Sequence, residues 1–134
     1  MLRSNQQELE KRVLRAAEAA LSRQQYVSAI DVLVGMGLLT PAHVASWRKG
    51  RVDFLERVIQ GNLKKISSSM AFFRRWAREK GLKPSETQYV RRTRIGAQAL
   101  QFSKSGDPGI EKSYARTLYR RRSRSKSSSG LKKN

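Results

Sequence analysis

The chain has 134 residues, which suffices for one domain with a hydrophobic core and leaves too little for two. Its 29 Lys and Arg residues against 10 Asp and Glu give a formal net charge of +19, so we expect a polyanionic partner. There is no cysteine, which excludes a disulfide framework and a thiolate metal site.

Positive charge is concentrated in the second part of the chain. Residues 1–60 carry nine Lys or Arg and six Asp or Glu, whereas residues 61–134 carry twenty and four. The longest apolar run, residues 32–39, includes two glycines and is too short to cross a bilayer. The polar first residues contain no hydrophobic signal region. We therefore expect a soluble, cytoplasmic protein without membrane contact, whose later half carries the function.

The first two predicted helices are recognised by their N-terminal caps. Residues 4–24 carry mostly small apolar side chains at helical spacing, and Ser4 is suited to cap them. Residues 28–37 open with Ser28 and Asp31 at the spacing of a capping box, and they end at a glycine. We expect the first helix to brace the fold and the second to be short and buried.

Two further short helices are predicted before the middle of the chain. Thr40 is a good N-cap and Pro41 suits the first helical position, so a helix is predicted over residues 41–49. Residues 52–60 have apolar side chains at helical spacing and are predicted to form another. Short pieces separated by Gly and Pro are typical of a compact helical bundle.

Residues 62–80 are predicted to form a five-turn helix at the centre of the bundle. Asn62 can cap its start, and Gly81 can end it in the left-handed conformation. At about 100° per residue, one stripe of this helix is apolar and consists of Leu63, Ile66, Met70, Phe73 and Ala77. The roughly opposite stripe is cationic and consists of Lys64, Arg74, Arg75 and Arg78. One face can therefore pack on a core while the other presents cations to an anion.

After the central helix the pattern changes from helical to strand-like. Residues 84–86 are predicted to form a turn. Residues 87–94 are rich in Thr, Tyr, Val and Arg, and residues 98–103 alternate apolar with polar side chains. Residues 95–97 contain a glycine suited to a turn. We predict a β-hairpin over about residues 87–103.

The chain closes with a predicted helix and a basic tail. Asp107 and Pro108 form a helix start, and the helix is predicted over residues 109–122. Residues 120–134 are basic, low in complexity and nearly without apolar side chains, so we expect them to be disordered. The predicted organisation is one domain over residues 1–119 followed by this tail.

The predicted fold is mainly helical, of the α+β class, with short helices around a long central one, then a hairpin and a C-terminal helix. Two short helices, a longer basic helix and an arginine-bearing hairpin follow the order of a winged helix-turn-helix. In that arrangement the last helix enters the major groove and the hairpin contacts the backbone or the minor groove. The element order therefore favours DNA as the partner.

The candidate phosphate contacts are cations of the central helix, the hairpin and the tail, because neutralising a phosphate releases condensed counterions. They are Lys64, Lys65, Arg74, Arg75 and Arg78 on the helix, Arg91, Arg92 and Arg94 on the hairpin, and Arg120, Arg121, Arg122 and Arg124 in the tail. Arginine dominates this set, and its planar fork suits phosphate or guanine. Phe72, Trp76 and Tyr89 are candidate stacking platforms for bases, the alternative being that they fill the core.

Catalysis has little support in the sequence. His43 is the only histidine, so no metal cluster or Cys–His pair can be assembled around it. Asp53 and Glu56 lie three apart, as in a metal-binding carboxylate pair, but they also suit the solvated side of a helix. No Gly-rich phosphate loop is present. We predict a non-enzymatic protein that needs no metal and no cofactor.

Three functions from different classes follow as hypotheses. The first is DNA or RNA binding through the central helix, the hairpin and the tail. The second is an adaptor that docks on an acidic protein, or on RNA within a larger assembly such as a ribosome. The third is a small metal-dependent nuclease built around Asp53 and Glu56.

Overall fold

The computed structural model describes residues 2–120, with side chains from residue 5 onward. This part of the chain combines helices with two small antiparallel sheets, in agreement with the mixed class predicted from the sequence. In chain order the elements are α1 (Leu2–Gln24), β1 (Tyr26–Ser28), α2 (Ala29–Gly35), α3 (Pro41–Arg48), a 3₁₀ helix (Leu55–Val58), α4 (Leu63–Glu79), β2 (Lys83–Glu86), β3 (Val90–Thr93), β4 (Gly96–Ala99), α5 (Pro108–Ala115) and β5 (Arg116–Tyr119). Among residues 2–120, no helix has both the length and the apolar content needed to cross a membrane.

Helix α1 is the long brace that the sequence predicts, although its start differs from the prediction. It begins at Leu2, so Ser4 lies within the helix and the prediction that Ser4 caps it is wrong. At the other end, Gln25 has a left-handed φ of 69°, and its N–H donates to the carbonyl of Leu21 at 2.8 Å. This bond satisfies one of the terminal carbonyls that a helix leaves without an internal partner.

The side-chain caps predicted for α2, α3 and α4 are confirmed. Ser28 Oγ accepts a hydrogen bond from the Asp31 N–H, and the Asp31 carboxylate accepts one from the Ser28 N–H at 2.9 Å. Thr40 Oγ1 caps the third residue of α3 at 3.0 Å, and Asn62 Oδ1 caps the third residue of α4 at 2.7 Å. Each bond satisfies a donor that the first turn leaves free, so these starts are encoded locally.

Helix α4 contacts α1, and its predicted apolar stripe is buried apart from its first member. Leu63 is 66% exposed, whereas Ile66, Met70, Phe73 and Ala77 are buried. Gly81 follows the helix with the left-handed φ of 70° expected of a terminating glycine. The central helix is therefore confirmed in its bounds to within one residue, and its buried face is confirmed from the second turn onward.

The helix predicted over residues 52–60 does not form. Phe54 is extended, with φ −152°, and only the short 3₁₀ helix follows it. The N–H groups of Leu55 and Glu56 donate instead to the carbonyls of Gln101 and Phe102, at 3.1 and 2.8 Å. Bonds to a segment more than forty residues later replace the intrahelical bonds that the apolar spacing suggests.

Two segments predicted as a turn and as helix are strands that pair with each other. Residues 84–86, predicted as a turn, belong to β2, and residues 116–119 of the helix predicted over residues 109–122 form β5. Strand β5 lies between β1 and β2 and pairs antiparallel with both. Pro84 is tolerated because β2 is an edge strand, where a missing N–H need not break a ladder.

A β-hairpin forms within the predicted region, with a shorter ladder and a turn shifted by one residue. Strands β3 and β4 pair antiparallel, with Thr93 opposite Gly96. The turn consists of Arg94 and Ile95, instead of residues 95–97, and Gly96 begins the second strand with φ +140°.

An aromatic cluster attaches the base of this hairpin and helix α5 to helix α3. Trp47 is fully buried, and its ring centroid lies 4.9 Å from that of Phe102 and 5.6 Å from that of Tyr89. Phe102 in turn stacks on Tyr114 at 5.5 Å. The Trp47 indole N–H donates to the carbonyl of Gln101 at 2.8 Å. The hairpin is thereby held beside the C-terminal end of α3.

Candidate nucleic-acid interface

The basic stripe of α4 lies at the surface, but two of its arginines are engaged by neighbouring helices. Its cations are the exposed Lys64, Arg74, Arg75 and Arg78 and the half-buried Lys65. Arg75 forms an ion pair with Glu10 of α1. Arg74 donates a hydrogen bond to Ser113 of α5 at 3.2 Å. The stripe is therefore less available to a polyanion than its sequence alone suggests.

Two of the three candidate stacking aromatics lie on the same helix and are not free platforms. Trp76 is only 5% exposed, and its indole N–H donates to the Glu18 carboxylate at 2.9 Å. The expectation that Trp76 stacks on a base is corrected, because its ring lies in the core. Phe72 is half-buried, and the guanidinium of Arg75 lies 5.4 Å from its ring centroid.

Tyr89, the third candidate, anchors the hairpin. Its ring contacts Trp47 and lies edge-on to Phe102, with centroids 5.2 Å apart. Burial raises the pKa of its hydroxyl. The guanidinium of Arg48 lies 5.3 Å from the centroid of the Tyr89 ring. This cation–π contact joins α3 to the segment that leads into β3. A base could therefore stack on Tyr89 only by displacing Arg48.

A second contact joins the hairpin to the end of α3, and it is made by an arginine side chain on a glycine backbone. Gly50 has φ +78°, and a Cβ built on it would lie 2.4 to 2.8 Å from three side-chain atoms of Arg91. The Arg91 side chain therefore lies directly on the Gly50 backbone. Its guanidinium also donates to Gln98 of β4 at 3.1 Å. Arg91 is thus held in place from both strands of the hairpin and from the loop after α3.

The other hairpin arginines project from the fold. Arg92 and Arg94 are exposed, and Ile95 at the turn is 98% exposed. The turn is closed by a hydrogen bond from the Thr93 hydroxyl to the Gly96 carbonyl at 2.9 Å. The tip of the hairpin therefore presents two arginines and one apolar side chain to solvent.

Three further cations complete this basic region, and none of them was among the candidates predicted from the sequence. Arg48, Lys49 and Arg51 surround Gly50, and all three are exposed. We call the set Arg48, Lys49, Arg51, Arg91, Arg92 and Arg94 the hairpin–α3 surface. Three cations within four residues at a helix end were the available signal. That signal was missed because the first sixty residues carry little net charge as a whole.

The segments that form the hairpin–α3 surface contain no acid. Residues 32–52 and residues 87–106 include neither Asp nor Glu. Most acidic side chains in the described part of the chain are engaged elsewhere, in caps, in backbone contacts or in ion pairs. The positive charge of this surface is therefore not neutralised by neighbours along either segment.

The two carboxylates of the nuclease hypothesis serve different contacts. Asp53 pairs with Arg57 at 3.2 Å. The Glu56 carboxylate accepts a hydrogen bond from the Tyr114 hydroxyl at 2.8 Å and one from the Lys104 N–H at 3.0 Å. Burial, reinforced by Glu56, raises the pKa of Tyr114. Within residues 2–120 no group of three or more His, Cys, Asp or Glu side chains is arranged to hold a metal ion.

The predicted tail is described only at its first residue. Arg120 is exposed, and its N–H donates to the carbonyl of Gln25 at 3.2 Å, so this residue still belongs to the folded part. Arg121, Arg122 and Arg124 lie outside the described residues. Their role as phosphate contacts stays a prediction.

No protein-family model, no curated protein and no solved structure matches this chain.

Proposed function

We propose that the protein binds DNA without catalysis, through a helix-turn-helix formed by α2 and α3 and a wing formed by the β3–β4 hairpin. Residues 36–40 join the two helices, and Gly37 in this turn has φ +80°. A turn that contains glycine between two helices is a common feature of the motif. Strand β1 directly precedes α2 and is an edge strand of the three-stranded sheet β1–β5–β2.

The contact of the hairpin with the end of α3 carries this proposal. Arg91 lies on Gly50 and Arg48 lies on Tyr89, so the arginines of both elements belong to one surface. In winged helix-turn-helix proteins the recognition helix and the wing contact the same duplex from one side. The sequence pattern suggested α4 for the recognition helix. We propose α3 instead, because α4 packs on α1 and its Arg75 forms an ion pair with Glu10.

The charge and residue types of this surface support phosphate as the ligand. Five of its six cations are arginines, whose planar fork binds phosphate oxygens or guanine in pairs of hydrogen bonds. The exposed tip residues Arg94 and Ile95 match the combination of arginine and apolar side chain that minor-groove binders insert. Lys64, Arg78 and the tail arginines serve in this proposal as additional backbone contacts.

The test compares two variants with the same change in charge. Fluorescence anisotropy is measured with duplex DNA, single-stranded DNA and structured RNA across a salt series. Arg92→Glu with Arg94→Glu is expected to weaken duplex binding about tenfold or more and to reduce the salt slope by about 1 for each cation. Lys64→Glu with Arg78→Glu, on α4, is expected to have the smaller effect.

Three outcomes would contradict the proposal in different ways. Affinity that does not fall with salt would reject nucleic-acid binding, because every neutralised phosphate contributes a slope of about −0.9. A larger loss for the α4 variant than for the hairpin variant would return the recognition role to α4. Cleavage of the DNA in Mg²⁺ or Mn²⁺, abolished by Asp53→Ala, would show that the protein is an enzyme.

A further inference from the structure

A groove of about 620 Å³ opens between α1, α2 and α3. Its apolar lining comes from small side chains of α1 and branched side chains of α2 and α3, among them Ala16, Ala19, Ala20, Ile30, Val34 and Val44. Four arginines also line it, namely Arg12, Arg15, Arg23 and Arg48. Of these, only Arg48 belongs to the hairpin–α3 surface, so the other three have no role in the proposed DNA site.

The arginines of the groove are not neutralised within it. Asp31 is the one acid that lines the groove, and its carboxylate already accepts hydrogen bonds from the Ser28 N–H and the Gln24 amide. Arg15 and Arg23 are exposed and form no ion pair with any described residue. The groove therefore combines an apolar floor with an unbalanced positive edge.

The spacing of these residues fits a helix as the occupant. Arg15, Ala19 and Arg23 follow one another at four-residue intervals, so the two cations flank an alanine on one face of α1. Because a helix rises about 1.5 Å per residue, Arg12 and Arg23 are about 16 Å apart, the length of three helical turns. Alanine side chains permit close approach of a second helix, toward the lower end of the usual 8–10 Å.

We propose that this groove binds an amphipathic helix of a partner protein, with apolar side chains on the floor and Asp or Glu residues facing the arginines. Charge complementarity selects this occupant. Residues 121–134 of the chain itself contain six Lys or Arg and no acid, so the positive edge repels them. A second copy carries a net charge of +19 and is disfavoured for the same reason. A nucleic-acid backbone would contact the arginines but would leave the apolar floor uncovered.

The test uses a labelled synthetic peptide of about 14 residues, with Leu on one helical face and Glu on both flanks. A peptide of the same composition in scrambled order keeps the charge and removes the apolar face. Anisotropy titration of the full chain is expected to give at least about tenfold tighter binding for the amphipathic peptide. Amide chemical shifts should change at the groove residues of α1, α2 and α3.

Two variants and one control separate the arginines from the floor. Arg15→Glu with Arg23→Glu reverses two exposed charges and is expected to weaken the amphipathic peptide about tenfold. Ala19→Gln keeps the charge, fills the floor with a polar side chain, and should also weaken that peptide. Lys83→Glu with Lys112→Glu makes the same charge change at exposed residues of β2 and α5 that do not line the groove, and it is expected to leave binding within about twofold. Circular dichroism checks that each variant is folded.

Equal binding of the amphipathic and scrambled peptides would overturn the proposal, as would an equal loss for the control variant. Chemical-shift changes confined to the hairpin–α3 surface would overturn it too, because the groove would then not be the site.

Pro41, Ala45 and Arg48 line the groove and lie at the exposed face of α3. A bound helix would therefore compete with DNA. This competition rests on the proposed function, whereas peptide binding to the groove is tested independently of it. Competition between the peptide and duplex DNA, without any peptide binding defect in Arg92→Glu with Arg94→Glu, would support both.

Discussion

At the scale of single residues, Gly50 is the position at which helix α3 and the hairpin meet. Its φ of +78° lies in the left-handed region, where a side chain costs roughly 1–2 kcal/mol. Its missing side chain also leaves the room that Arg91 occupies. One glycine therefore ends the helical segment and seats an arginine of the proposed DNA-binding surface.

Replacing this glycine should affect both stability and binding. Gly50→Ala is expected to lower the free energy of unfolding by about 1–2 kcal/mol and to weaken DNA binding, because its Cβ displaces Arg91. Gly81→Ala is the matched control: φ is +70° there and a Cβ would meet nothing within 4 Å. It should lose similar stability in urea denaturation and keep its DNA affinity. Unchanged affinity in Gly50→Ala would show that the position of Arg91 is irrelevant to binding.

At the scale of elements, the short helices depend on their caps more than on their length. Helix α3 has eight residues, fewer than an isolated helix needs to be stable in water. It is held by the Thr40 cap, by Pro41 in its first turn and by the burial of Trp47. These three features fix where α3 starts and how it is oriented. They thereby place its C-terminal end beside the hairpin.

The cap of α3 gives a prediction at this scale. Thr40→Ala removes the acceptor at 3.0 Å from the His43 N–H and is expected to cost about 1 kcal/mol of unfolding free energy. Thr40→Ser keeps the hydroxyl and should restore most of that loss. The measurement is urea denaturation followed by circular dichroism. Equal stability of the alanine and serine variants would show that the hydroxyl does not contribute to folding.

At the scale of the whole molecule, helices α1 and α4 are joined by a polar contact as well as by their apolar faces. Glu18 on α1 accepts hydrogen bonds from the Lys80 ammonium at 2.9 Å and from the Trp76 indole at 2.9 Å. These donors lower the pKa of Glu18 from its ordinary value of 4.5, with the Lys80 bond as the largest cause. The charged form of Glu18 is therefore the one that stabilises the packed helices.

This contact predicts a pH dependence with a definite sign. A carboxylate whose pKa is lowered on folding stabilises the protein above pH 4.5, and this contribution is lost as the pH falls through the lowered pKa. Glu18→Gln should therefore be less stable than the native chain at pH 7 and nearly equal to it in acid. Because the side chain is 46% exposed, the difference should stay below about 1 kcal/mol.

Thermal unfolding at several pH values measures this difference, with Glu8→Gln, an exposed glutamate on the same helix, as the control. A stability difference between the two proteins that is constant with pH would mean that Gln at position 18 acts through packing and not through the lost charge.

Much of the fold could be predicted because its signals are local. The caps at Ser28, Thr40 and Asn62 need only a side chain and an N–H three residues later, so residue type and spacing suffice. The hairpin likewise follows from alternation and a glycine. The helix predicted over residues 52–60 failed because its N–H groups bond to residues 101 and 102, a contact that no local pattern announces.

The sequence by itself determined the excess of positive charge, the starts of α2, α3 and α4, the buried face of α4 and the presence of an arginine-bearing hairpin. Only the tertiary structure decided that residues 83–86 and 116–119 are paired strands, that Trp76 is buried, and that Arg75 belongs to an ion pair. It also decided that the hairpin meets α3, because Arg91 and Gly50 are forty-one residues apart along the chain. Periodicity and capping act within a few residues, whereas such contacts arise when distant segments pack to bury Trp47 and its aromatic neighbours.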